Sequence, residues 1–142
     1  MGKRLLLLTG PGGDAQGWGN LAVTESLQKT IESLDVHCDI GWVETLADFE
    51  RVLAQQPYDL VWSSLYYLSM REDIIGIPAD ARWVTDLLDA KGIPYIGPDA
   101  TTQKNLILKY TTHRIMAAAG VRVPAHHLVS PGQTVPECPL PA

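Results

Sequence analysis

Residues able to do chemistry gather at four places in the chain. The first is residues 10–20, GPGGDAQGWGN, where Gly10, Gly12 and Gly13 would let backbone N–H groups approach a small anion such as a carboxylate. Asn20 or Thr24, at the start of the helix that follows, would add donors. The second is a mixed aromatic and charged group, Tyr66, Tyr67, Ser69, Arg71, Glu72 and Asp73. Its Arg71 is suited to holding a substrate carboxylate by a bidentate contact. The third is Glu44, which follows the second predicted strand. The fourth is Lys109, a lone lysine on a helix whose Ile115 and Ala119 are spaced toward a core.

Other chemistries find less support. Gly10-x-Gly12-x-x-Ala15 fits the looser dinucleotide fingerprint, with Glu44 where a ribose-binding acid would sit. That fingerprint needs its helix to open at the second glycine, yet Gly17, Trp18 and Gly19 come before helical periodicity begins. A nicotinamide cofactor is therefore not the favoured ligand. His126 and His127 are neighbours in a predicted strand, so their side chains point to opposite faces and cannot chelate one metal. His37 and His113 have no partner at metal-ligand spacing, and no G-x-S-x-G elbow marks a nucleophile. Cys38 and Cys138 lie in no CxxC or Cys/His pattern and are expected to be free thiols in a reducing cytoplasm.

The elements that must position these residues alternate between strand and helix. Arg4–Thr9 is a continuous apolar run, the signature of a strand buried on both faces of a parallel sheet. Val23, Leu27, Ile31 and Leu34 recur at helical spacing, and His37–Val43 reads as a second strand. Thr45 is placed to cap a helix carrying Leu46, Phe49 and Leu53, which Pro57 ends. Asp59–Ser63 is a third strand, followed by a long irregular stretch, Leu65–Pro78. Asp80 is placed to cap a helix with Val84, Leu87 and Leu88 inward and Gly92 as its stop, before a fourth strand at Ile93–Ile96. This alternation predicts an α/β fold: a parallel, doubly wound, Rossmann-like sheet with helices on both faces and right-handed crossovers. Ligands in such sheets bind beyond the carboxyl ends of the strands, where residues 10–20, Glu44, the Leu65–Pro78 stretch and Gly97–Ala100 all fall.

The totals fit that picture. The chain has 142 residues, 46% hydrophobic and 19% charged, as expected of an ordinary globular domain. Its net charge of −5 argues against a nucleic-acid-binding surface. The apolar run Leu5–Leu8 is too short for a signal or membrane span, so no membrane partner is expected and the location should be cytoplasmic.

The stretch 92–124 adds a resemblance. Gly92-Ile-Pro-Tyr-Ile-Gly97, then Lys109, then Ala119-Gly120-Val121-Arg122-Val123-Pro124 resembles a junction in D-alanine–D-alanine ligases and related ATP-grasp carboxylate–amine ligases. That junction joins the N-terminal domain to the central one, and the spacing from Tyr95 through Lys109 to Gly120 needs no gap. The resemblance implies a pre-ATP-grasp domain over 1–97, the start of an ATP-grasp domain over 98–129, and a linker or truncated approach over 130–142. It implies that Lys109 contacts nucleotide, and that the loop with Gly12, Gly13, Asp14 and Asn20 meets the first substrate. ATP and Mg²⁺ are the implied cofactors, held mainly by a C-terminal part that would be supplied in cis or by a separate subunit. A homodimer is among the expected assemblies.

Departures from the family pattern bear on the substrate. Leu108 replaces the lysine's acidic partner, His113 stands where a second basic residue is common, and Arg71-Glu72-Asp73 only loosely echoes the family's GEDG. These changes point to an amino-acid-like substrate other than D-alanine. The phosphate-contacting lysine strand, the Gly/Ser-rich phosphate loop and the acidic Mg²⁺ ligands have no counterpart here, so the segment alone is expected to be inactive. The contrasting expectation is a free-standing Rossmann-like module that binds a small anion or a partner protein. A reading frame continuing past Ala142 into a Lys-Pro and Gly/Ser-rich segment separates the two.

Overall fold

The computed structural model describes residues 2–69 and 77–137. The chain divides into two compact units, Met1–Ala100 and Thr101–Ala142.

The first unit is built on β1, Arg4–Thr9, whose leucines alternate between two cores as strand geometry requires. Leu6 and Leu8 join one core and Leu5 and Leu7 the other, all of them buried. β1 pairs in parallel with β2, His37–Trp42, on one side and with β3, Leu60–Ser63, on the other. A short last strand, Tyr95–Ile96 (β6 below), pairs in parallel with β3 and completes a four-stranded sheet.

A one-turn helix α1, Gly13–Gln16, and a longer helix α2, Leu21–Glu32, join β1 to β2. Leu27 and Ile31 of α2 cover the Leu5/Leu7 face. Helix α3, Leu46–Ala54, joins β2 to β3 and covers the opposite face with Phe49 and Val52. The third crossover helix packs Val84 and Leu88 into the same core as α3. The sheet is thus doubly wound, and the winding reverses between β1 and β3.

Two of the expected helix signals are present in full. Thr45 caps α3: its Oγ1 accepts from the Asp48 N–H at 3.1 Å, while the Asp48 carboxylate accepts from the Thr45 N–H. The Arg51 guanidinium, then Thr45, hold the Asp48 carboxyl down at about 2. Replacing Thr45 by alanine is expected to lower stability by about 1 kcal/mol in urea unfolding. Because Asp48 is depressed in the folded chain, its stabilising contribution is complete above the ordinary carboxylate range. It is lost as pH falls through about 2.

Gly92 ends the third crossover helix as expected. Its N–H donates to Asp89 O and that of Ile93 to Leu88 O, with Gly92 at φ 65°.

Other expectations need correction. The Leu65–Pro78 stretch is not wholly irregular, because Tyr67–Leu68 (β4) pairs antiparallel with Arg82–Trp83 (β5). That pairing keeps the chain extended through Trp83, so α4 spans Val84–Asp89 and its N-cap position falls at Trp83 rather than Asp80. Asp80 instead accepts a hydrogen bond from Ser69 Oγ at 2.9 Å. Only Tyr95–Ile96 of the fourth strand is laddered (β6), although Val61 N–H also reaches Pro94 O.

The second unit carries two helices, α5 (Ala100–Ile107) and α6 (Lys109–Ala118), interrupted at Leu108 with ψ 88°. Thr112 Oγ1 braces the break by donating toward Asn105 O and Leu108 O. Past α6, Gly120 N–H donates to Ala117 O and Val121 N–H to Met116 O, the same glycine stop as in α4. Ile115 and Ala119, whose spacing pointed toward a core, are instead exposed, as are Leu108 and Met116. His126 and His127 are not in a strand, since no ladder pairs residues 121–137.

Cys38 is buried between β1 and α2 and is a free thiol. Burial, then the charges of Glu32 and Asp39, push it up to about 11. In a C138S protein near pH 8, a thiol reagent is expected to modify folded Cys38 more than about 100-fold slower than the urea-unfolded chain. Equal rates would contradict this burial.

Candidate functional site

The carboxyl edge of β1 and β3 gathers the glycine loop and the Tyr66 segment at the point where the winding reverses. β1 ends in Thr9, and Ser64 follows β3; both are fully buried. Ser64 N–H donates to Leu8 O at 2.8 Å, and Ser64 Oγ lies 3.1 Å from Thr9 Oγ1. These bonds fix the strand ends against each other and leave no slack between them.

The loop crosses this edge at close quarters. A Cβ on Gly17 would lie 2.1 Å from Ser64 O, and one on Gly10 would lie 2.1 Å from Val43 O. A Cβ on Gly13 would meet Gly19 O at 2.7 Å and Thr9 Oγ1 at 2.9 Å, and one on Gly12 would meet Gln16 Nε2 at 2.6 Å. The missing side chains therefore face protein, and close chain packing accounts for glycine at these positions.

Gln16 is the residue that sequence reasoning missed. Its Oε1 accepts from Tyr66 N–H at 2.8 Å and from Tyr67 N–H at 3.0 Å, tying α1 to the segment after β3. The partners are about fifty positions away in the chain, so no local pattern announces them. Tyr66 is half-buried beside this tie. Tyr67 packs its ring edge to face on Trp83 at 5.5 Å, and burial raises its hydroxyl above the ordinary range.

The remaining sequence-derived residues fall as follows. Asn20 Oδ1 caps α2 by accepting from the Ala22 and Val23 N–H groups. Thr24 is buried, with its Oγ1 donating to Asn20 O and accepting from Trp18 Nε1. Both therefore already serve the start of α2. Asp14 is a residue of α1, but its side chain lies outside the described part, as does all of Arg71. Glu44 is exposed and accepts from Trp42 Nε1 at 2.7 Å. Gly12, Gly13, Gln16, Asn20 and Tyr66 thus share one edge of the first unit. The helix a dinucleotide fingerprint requires is a single turn here, α2 opening only at Leu21.

Lys109 is the first residue of α6 in the second unit and is exposed. From residue 101 onward the sequence has Lys104, Lys109, Arg114 and Arg122 against one acid, Glu137. Every other Asp and Glu lies before residue 101. The segment that carries Lys109 is therefore net positive. Among the described residues no three His, Cys, Asp or Glu side chains converge as a metal site, so none is assigned to Mg²⁺. No helix among them is long and apolar enough to cross a membrane.

These features define a class: a parallel, doubly wound α/β domain with its candidate site at the switch point. Within that class, the fold is similar to the crystal structure of D-alanine–D-alanine ligase from Aeromonas hydrophila. The TM-score is 0.56 at 21% identity, covering 93% of this chain and 52% of that one. The chain therefore spans about half the length of that ligase. The likeness bears out the resemblance at the level of fold. No protein-family model and no curated protein matches the sequence.

Proposed function

We propose that this chain is the substrate-side part of an ATP-dependent carboxylate–amine ligase. The observation that carries the reading is the fold likeness to a D-alanine–D-alanine ligase over 93% of the chain. The ungapped spacing from Tyr95 through Lys109 to Gly120 supports it, as does the positive sign of the segment around Lys109.

In this reading a carboxylate oxygen attacks the γ-phosphorus of ATP, the bond to the β-phosphate oxygen breaks, and ADP leaves. The amine nitrogen then attacks the acyl carbon, an amide forms, phosphate departs and the nitrogen gives up its proton. Residues 10–20 and Tyr66 form one wall of the acyl-substrate site, and Arg71 is the candidate carboxylate partner. Lys109 holds a phosphate-bearing group by a charge-assisted contact. Mg²⁺, when bound, would supply positive charge that offsets the charge developing during phosphoryl transfer. The groups that hold it are proposed to lie in the part of the enzyme this segment does not contain, in cis or on a second subunit. The departures at Leu108 and His113 favour an amino acid other than D-alanine.

The test is ADP formation by the product of the whole reading frame, with a panel of amino acids. Amino-acid-dependent ADP release is the expected result. ATP turnover that ignores every amino acid would contradict the ligase reading, and no turnover at all would favour a non-catalytic binding module.

A further inference from the structure

Thirteen positions apart in sequence and without any shared motif, His113 and His126 meet in the second unit. Their rings stand edge to face with centroids 4.6 Å apart. Tyr110, one turn before His113 on α6, places its ring 5.4 Å from that of His126. The Arg114 guanidinium lies 5.9 Å from the centre of the Tyr110 ring. Both histidines are half-buried. Residues 121–129 have no ladder to anchor them, and this ring cluster joins them to α6 beyond the Val121 N–H bond to Met116 O.

The protonation logic follows from the hydrogen bonds. His126 Nδ1 lies 2.9 Å from Pro124 O. A carbonyl oxygen only accepts, so Nδ1 carries a proton and Nε2 is where the next one would add. A single imidazolium is tolerated in such a stack, because a cation is attracted to the face of a neutral ring. Two imidazolium ions at this separation repel. The charged groups on both elements are positive, Lys109 and Arg114 on α6 and Arg122 in the segment. The neighbouring His127 can only add to that sign, and Glu137 is the one acid after residue 100. A third ligating side chain that would make the pair a metal site is absent among the described residues.

We propose that His113 and His126 form an acid-released clasp, which holds residues 121–129 on α6 until both rings are protonated. The sign is that of a group whose neutral form makes the contact. The clasp is closed while at least one ring is neutral and opens on acidification. The closed pair tolerates one proton and the open pair takes two, so release is linked to the uptake of one further proton. The proposal concerns the segment that follows the Lys109 helix and does not depend on the ligase reading.

Two-dimensional NMR of the full chain tests it through cross-peaks between the Tyr110 and His126 rings. Between about pH 7.5 and about pH 5 these should weaken at least about fivefold in the native protein. In H126F, and separately in H113F, one titratable ring is gone while an aromatic ring remains. There, cross-peaks between Tyr110 and the ring at position 126 should persist at about pH 5. Cross-peaks that survive acidification in the native protein would overturn the proposal. So would their loss over the same range in both variants, which would assign the release to some other group.

Discussion

Replacing Gly17 with alanine is expected to destabilise the first unit by about 3 kcal/mol, a large share of the stability of a domain this size. The reason is the identity of what the new Cβ would strike. It would lie 2.1 Å from Ser64 O and 2.7 Å from both the carbonyl carbon and the Cα of Ser64. These are backbone atoms at the end of a central strand, pinned by the Ser64 N–H bond to Leu8 O and by the contact with Thr9 Oγ1. No flexible side chain can swing aside, so the glycine loop itself must move. Moving it strains the Gln16 tie to Tyr66 and Tyr67. Urea unfolding followed by tryptophan fluorescence reads the effect, since Trp18 next to the substitution packs edge to face on Trp62 at 5.0 Å. Gly2→Ala is the control, because nothing lies within 4 Å of its Cβ position. A Gly17→Ala midpoint equal to that of the control would contradict the close approach.

The second large effect concerns activity rather than stability. In the complete enzyme, Lys109→Ala is expected to lower kcat/KM for ATP by about 10–100-fold, the worth of a hydrogen bond from a charged donor. Lys109→Arg should recover part of it, since the charge is kept while the geometry of the donor changes. Lys109 is exposed at the first position of α6, and no residue of that helix is buried. Its removal should therefore leave the unfolding midpoint unchanged. An unaltered kcat/KM would remove Lys109 from the proposed nucleotide site, and a lowered midpoint would make its role structural.

Much of the architecture was legible because it is local. The leucines of β1 announce a strand buried on both faces, and the structure divides them between two cores. Thr45 and Asp48 are three residues apart, so their capping box could be anticipated from the threonine. Gly92 marks a helix stop for the same reason. Pairings across long stretches of chain were not legible. The β4–β5 ladder joins segments with weak strand character, and it moved the N-cap of α4 from Asp80 to Trp83.

The candidate site divides in the same way. Its position at the carboxyl edge followed from the strand–helix alternation, and the structure places the glycine loop there. The reason for the glycines did not follow, because Gly10 and Gly17 answer to Val43 and Ser64, which only the fold brings near. Gln16 went unnoticed because a glutamine in a loop has no signature until its two distant N–H donors are known. His113 and His126 escaped for a related reason. Spacing rules look for residues on one element, whereas these two come from a helix and the segment after it.

The most direct measurement of the ligase reading is a trapping experiment on the product of the whole reading frame. With ATP, Mg²⁺ and the amino acid that stimulates turnover, hydroxylamine should intercept the activated carboxylate as a hydroxamate. One ADP should appear for each hydroxamate formed. Hydroxamate accompanied by AMP and pyrophosphate, or ATP cleavage that yields no hydroxamate, would contradict activation as an acyl phosphate.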